Sequence, residues 1–249
     1  MDALYPWALR GAAALAVFWG IALVARGRAS RRSALAPVGA ALGVGLWRTL
    51  QTGRPPLTGL HETTLLFGIL LVFASALACF RGKHWRVYGL CVTAAAALWA
   101  VSSLNNPRPA PNLPALQTWW FEIHVATSFA AYASFAVGAA AAVAHLAGWE
   151  RPDNRRVLEG AHRWGFAWFT WGMVSGGIWA YLAWGTYWLW HVKELWSGIV
   201  WTYYAGLVHL PHMAGWRGRR QAWASLAGLG LVLFTYLGVG LVMRNTHQF

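Results

Sequence analysis

The chain has 249 residues, 58% of them apolar and only 11% charged, with 19 tryptophans. A soluble domain carries about a quarter charged residues, so this composition excludes an ordinary soluble globular protein. Lysine and arginine number 20 against 7 acids, a formal net charge of +13; long apolar runs separate the basic residues, so the charge reads as membrane-protein loops and not as a nucleic-acid surface.

Eight runs approach the ~20 apolar residues that a helix needs to cross hydrocarbon: 6–25, 33–52, 61–80, 86–104, 120–147, 164–183, 195–213 and 222–243. They predict an all-α, polytopic integral membrane bundle with one membrane domain over 1–249. The first run follows acidic Asp2 with no basic segment before it, and reads as a retained anchor rather than a cleaved signal. The second contains Pro37 and several glycines and reads as the weakest, kinked or partly re-entrant, which membrane helices tolerate. Four prolines between Asn105 and Gln117 predict an extended loop. The basic stretch Arg151–Arg163 reads as a solvated loop, with an amphipathic connector as the alternative. Cys79 and Cys91 fall inside the third and fourth runs and read as packing residues, with no Cys-x-x-Cys. The sequence has no Gly-rich phosphate loop, no Ser-His-Asp arrangement and no repeat of fixed period.

Eight crossings divide the loops between two sides. One side collects Arg26–Arg32, Arg81–Arg86, Arg151–Arg163 and Arg217–Arg220, holding 14 basic residues; the other holds Arg48, Arg54, Arg108, Lys193 and Arg244. The positive-inside rule puts the first set in the cytoplasm and both termini outside.

The segment Trp184–Trp196, WGTYWLWHVKELW, carries four tryptophans in thirteen residues and falls on the outer side in this topology. An aromatic belt at the membrane interface is one reading of it. A belt leaves His191-x-x-Glu194, embedded among the rings, unexplained. Imidazoles are costly in a bilayer and are usually paired, solvated or ligating. His61, His124, His191 and His247 all fall at the outer face. His209 and His212 fall toward the cytoplasm, His145 near the inner end of the fifth run, and His84 and His162 in cytoplasmic loops. Zinc favours tighter clusters with thiols or acids, which are scarce here. Haem suits the pattern better. Its iron takes axial imidazoles, and Trp184, Trp188, Trp190 and Trp196 offer flat faces for a porphyrin.

The stretch WGTYWLWHVKELWSGIVWTYYAGLVH resembles the tryptophan-rich signature WGxxWxWDxxExWxxxxWxxYxxxLH of the haem-handling proteins of cytochrome c biogenesis. The match is to the CcsA/ResC type, whose tryptophan-rich segment is called the WWD domain. Pro114–Phe135, Pro55–Gly68 and the closing GVGLVMRNTHQF are similar to segments of the same branch, in the same order, so the resemblance covers about 55–249. It implies that 184–201 is a haem-handling motif to which Trp184, Gly185, Trp188, Trp190, Glu194, Trp196 and Trp201 belong. It also implies that His124 and His247 ligate the iron of a noncovalent haem b, and that His209 helps haem across the membrane. The activity implied is presentation of haem outside the membrane to apocytochrome c, whose thiols add to the haem vinyl groups. The implied partner is a CcsB/ResB-like membrane subunit, with which the chain forms a cytochrome c haem lyase or synthase. The implied location is a bacterial plasma membrane or a thylakoid membrane.

The chain departs from that signature at His191, where the family has Asp. An added ligand near haem, a silent change and recruitment to another complex are the three readings of the departure. Two rival functions fit the same residues. One is a haem-bearing electron-transfer subunit of a quinone or cytochrome complex; the other is a non-catalytic scaffold or regulator with the same fold.

Overall fold

The computed structural model describes residues 4–108, 113–149 and 154–239, with the side chains of residues 31 and 32 left aside. These residues form helices α1 (Tyr5–Arg26), α2 (Arg31–Ala34), α3 (Ala36–Thr52), α4 (Gly59–Cys79), α5 (Trp85–Leu104), α6 (Trp119–Leu146), α7 (Asn154–Trp184), α8 (Val192–His209) and α9 (Arg219–Leu233). A π-helical turn, Phe234–Gly238, continues α9. Among the described residues, five helices are long and apolar enough to cross a membrane: α1, α4, α5, α6, and α9 with its π turn. The protein is thus an all-helical, multi-pass membrane protein. Helices α3 (17 residues), α8 (18 residues) and α7 (31 residues) lie beside them; at 1.5 Å per residue α7 is about 46 Å long.

The second apolar run is interrupted near its start, two residues before Pro37. The chain breaks at Leu35, between α2 and α3, and Pro37 sits in the first turn of α3, where its missing N–H costs nothing. The basic stretch is not a loop from Asn154 onward, because α7 begins there. Asn154, Val157, Leu158, Ala161 and His162 recur at helical spacing and are all buried, while Arg155, Arg156 and Arg163 stay exposed on the opposite face. The expected end of the last run, with Arg244 and His247, lies outside the described residues.

The helices assemble as two groups. In the first, α1 and α4 both lie on α5, and α3 lies on α4. In the second, α6 pairs along its length with α7 and also meets α9, while α8 contacts α7 and α9. Contacts of α6 with α4 and α5 join the groups. Small residues permit the closest crossings. A Cβ on Gly20 would lie 2.9 Å from the Gly89 carbonyl oxygen, and one on Gly89 would lie 2.8 Å from the Gly20 carbonyl oxygen, so α1 and α5 touch backbone to backbone. Close approach at small residues is how helices gain dispersion contacts in lipid, where burial from water contributes little.

The first group encloses a buried ionic network at the loop following α3. Arg48 and Glu62 are 4% and 2% exposed. The Arg48 Nη2 donates to Glu62 Oε1 at 2.9 Å and to the Pro107 carbonyl at 2.7 Å. The other carboxylate oxygen accepts from the Thr58 N–H and hydroxyl, at 3.1 and 3.0 Å. Beside it, His61 Nδ1 donates to the Ser102 carbonyl at 2.8 Å, and its Nε2 lies 3.2 Å from the Tyr5 hydroxyl. Arg48 is therefore an internal cation and not the loop charge that the sequence suggests. Removing one partner of a buried pair leaves the other uncompensated, at a cost of about 3–5 kcal/mol. We predict that Glu62→Ala lowers stability by that amount in detergent unfolding, and that adding Arg48→Met recovers most of it. Equal stabilities of Glu62→Ala and the parent would contradict the network's role.

Candidate functional site

His124 lies in the second turn of α6, started by Thr118, whose side chain accepts from the Phe121 N–H at 3.2 Å. Its ring is set into α7. The Nδ1 is 2.7 Å from the Gly172 carbonyl oxygen; a carbonyl only accepts, so Nδ1 carries the proton and Nε2 keeps its lone pair. One turn further along α7, a Cβ on Gly176 would stand 2.5 Å from Nδ1. Glycine is required there by contact, not by backbone conformation. The ring also stacks on Trp179, at 5.9 Å between centroids and 16° between planes. Trp179 is itself fixed: its indole N–H donates to the Ala115 carbonyl at 2.6 Å, and its ring meets Phe121 at 5.3 Å and Trp184 at 4.8 Å. An imidazole with one nitrogen bonded to a carbonyl, and the other left basic, is the usual state of a metal-ligating histidine.

The connection from α7 to α8 carries the tryptophans. It turns away from α7 at Gly185, whose φ of 76° favours glycine. Trp190 also has positive φ, 59°, a conformation that costs an ordinary residue about 1–2 kcal/mol. Glu194 provides the reason. One carboxylate oxygen, Oε2, accepts from the Leu189 N–H at 2.8 Å and from the His191 N–H at 3.1 Å. The two amides flanking Trp190 converge on that oxygen, and the backbone must bend left-handed at Trp190 for them to do so. The result is a rigid projection: Trp190 is 73% exposed, with Trp188 edge-on at 6.3 Å.

His191 is the N-cap of α8 and forms a capping box with Glu194. An Asp in the same place is a good N-cap, so the departure from the family signature preserves the local structure. Histidine is not among the usual N-cap residues, so the capping role of the His191–Glu194 pair is shown by the structure and not by the sequence.

The other expected site residues take separate places. Trp184 joins the His124–Trp179 cluster, and Trp196 lies against Phe234 of the π turn at 4.6 Å. Trp201 is two to three turns into α8, where its indole N–H donates to the Thr170 hydroxyl at 3.0 Å and its ring meets Phe166 at 5.3 Å. His209 ends α8, about 26 Å along the helix from its start, and lines the cavity at the other end of the bundle. His61 faces Tyr5 and Ser102 in the first helix group. His247 lies outside the described residues. His84 does lie in the loop between α4 and α5, whereas His162 is within α7, and both are buried: His84 Nδ1 lies 2.8 Å from Asn154 Oδ1, and His162 Nε2 lies 2.9 Å from the Ser225 hydroxyl. The sequence reading passes over Gly172, Gly176 and Trp179, although the pair of glycines one turn apart marks a close contact on α7.

Helices that cross a membrane several times, with a braced imidazole and an aromatic turn near one end of the bundle, define a multi-pass helical membrane protein. The comparisons identify its kin. The family model described as "Cytochrome C assembly protein" matches residues 57–247, and the chain belongs to that family. Similar curated proteins include the cytochrome c biogenesis protein CcsA of Synechococcus sp. (strain RCC307), 29% identical over 93% of this chain and 89% of that protein. Those of Heterosigma akashiwo (25% identical; 82% and 79%) and Guillardia theta (24%; 81% and 79%) are further examples.

Two charge-assisted hydrogen bonds of about 1.5 kcal/mol or more hold the Trp190 turn. We predict that Glu194→Ala speeds hydrogen exchange at the Leu189 and His191 amides by about 10-fold or more, with Glu194→Gln intermediate. Unchanged exchange in Glu194→Ala, read by mass spectrometry of peptides across 186–192, would show that the carboxylate does not hold the turn.

Proposed function

We propose that this chain serves cytochrome c biogenesis by holding haem at the Trp-rich end of its bundle for attachment to an apocytochrome. The observation that carries the proposal is the His124 ring, pinned through Nδ1 to the Gly172 carbonyl, with Nε2 left as a ligand and exposed indoles on the adjoining turn. Those features fit an axial position for a b-type haem. Haem held there supplies two vinyl groups, to which the thiols of an apocytochrome Cys-x-x-Cys-His segment add.

The protein's own residues set position. Gly172 and Trp179 fix the plane of the imidazole. Glu194 fixes the turn that projects Trp190, with Trp188 beside it, while Trp184 packs on Trp179. His247 is the proposed second axial ligand, and His209, at the far end of α8, the contact for haem passing from the other side. The unequal division of basic residues supports an outer location for the Trp-rich end, in a bacterial plasma membrane or a thylakoid. A CcsB/ResB-like membrane subunit is the proposed partner.

Two outcomes are expected. His124→Gly should lose its low-spin spectrum, because one axial imidazole is gone, and ~10 mM imidazole should restore it by filling the vacated place. A low-spin spectrum unchanged without imidazole would remove His124 from the site. Haem that stays low-spin in the parent, yet with no loss of c-type cytochrome when the gene is deleted, would favour the electron-transfer reading instead. The sidedness has its own check. A cysteine at Thr186 should react with an impermeant thiol reagent in intact cells, and one at Met213 should not; the reverse pattern would invert the topology.

A further inference from the structure

At the end of the bundle opposite His124, the start of α7, the end of α8 and the loop after it enclose a cavity of about 250 Å³. Its charged wall is Arg155, Arg163 and Arg217, against a single carboxylate, Glu159. Glu159 is committed to Arg155, one turn earlier on α7. The Arg217 Nε donates to the Pro211 carbonyl at 2.8 Å, which folds that side chain back along the loop. Three imidazoles, His162, His209 and His212, complete the polar lining.

His162 supplies a second, independent observation. It is 1% exposed, its Nε2 faces the Ser225 hydroxyl, and its buried Nδ1 has no partner among the described residues. A buried polar atom left unmatched is costly, and its residue belongs to the lining of the cationic cavity. Leu207, Val208 and Pro211 give the same cavity an apolar side.

We propose that this cavity binds the phosphate headgroup of an anionic phospholipid. Guanidinium groups recognise phosphate through paired N–H donors, and basic pockets between membrane helices on the cytoplasmic side take anionic headgroups. The apolar wall receives the glycerol and the start of the acyl chains. Its volume is below the ~300–1,000 Å³ of pockets that enclose drug-sized molecules, which suits a headgroup whose acyl chains extend outside it. The choice of leaflet rests on the sidedness proposed above; the site itself does not.

The experiment uses the full chain, purified in neutral detergent and stripped of lipid, with thermal unfolding as the readout. Dioctanoyl phosphatidylglycerol should raise Tm by about 3 °C or more. Dioctanoyl phosphatidylcholine, and inorganic phosphate at matched ionic strength, should not. The double variant Arg163→Gln/Arg217→Gln should lose most of the rise. Arg26→Gln/Arg28→Gln, in a separate basic pocket of the first helix group, should keep it, which separates a site from general attraction to a basic protein. If the first double variant does not fold, Arg163→Lys/Arg217→Lys retains charge without the guanidinium fork and should show a reduced rise. An equal rise with inorganic phosphate would overturn the lipid source in favour of free phosphate. No rise with phosphatidylglycerol, or an equal rise in the Arg163/Arg217 variants, would overturn the site. Haem absorbance read on the same samples keeps the two proposals apart: a lipid effect without haem defeats only the haem reading, and haem without a lipid effect only this one.

Discussion

The contact of His124 with the glycine face of α7 is the constraint on which the rest of the site depends. It requires α6 and α7 to approach closely where Gly172 and Gly176 leave room, and it orients one imidazole so that a single nitrogen remains basic. The same pairing brings Trp179 onto the ring and places Trp184 beside it. The chain then leaves α7 at Gly185 and re-enters helix at Val192, so the aromatic turn hangs directly from the helix that holds the histidine. A hydrogen bond contributes only about 1 kcal/mol net; the orientation comes from packing on both sides of the ring.

Rigid support continues outward from that contact. The turn 185–191 has little core of its own, and one Glu194 oxygen substitutes for it by binding two backbone amides. The first helix group is braced by a different device, an internal Arg48–Glu62 pair tied to the loop at Pro107. Both devices place a carboxylate against backbone N–H groups, joined at Glu62 by a cation, and they account for two of the seven acids in a strongly basic chain.

Much of the fold is legible in the sequence because lipid imposes one rule: backbone groups must be satisfied within the helix, so apolar runs of sufficient length become helices. The boundaries of α1, α4, α5 and α6 follow the apolar runs closely. The rule says nothing about helix that extends beyond the apolar run, which is why the first turns of α7 read as a basic loop. Their burial pattern at Asn154, Val157, Leu158 and Ala161 is helical, and the arginines mask it. At the site, residue types pointed to His124 and the tryptophans, and the family resemblance assigned them roles. Pairings across helices were not legible. Nothing local in the sequence tells that His61 turns to Ser102, that His162 meets Ser225, or that Trp179 rather than a residue of the motif stacks on His124. The same holds at His191, whose capping of α8 a histidine does not announce.

The most direct test of the central claim is the absorption spectrum of haem-loaded Gly176→Ala beside that of the parent. Alanine is favoured over glycine in a helix, so α7 itself should persist. The new Cβ, however, would occupy space 2.5 Å from His124 Nδ1 and force the ring from its place. The account predicts loss of the low-spin signature and haem affinity weaker by about 10–100-fold, the usual effect of disturbing the support of a metal-ligating histidine. An unchanged spectrum and affinity in a folded Gly176→Ala protein would contradict it.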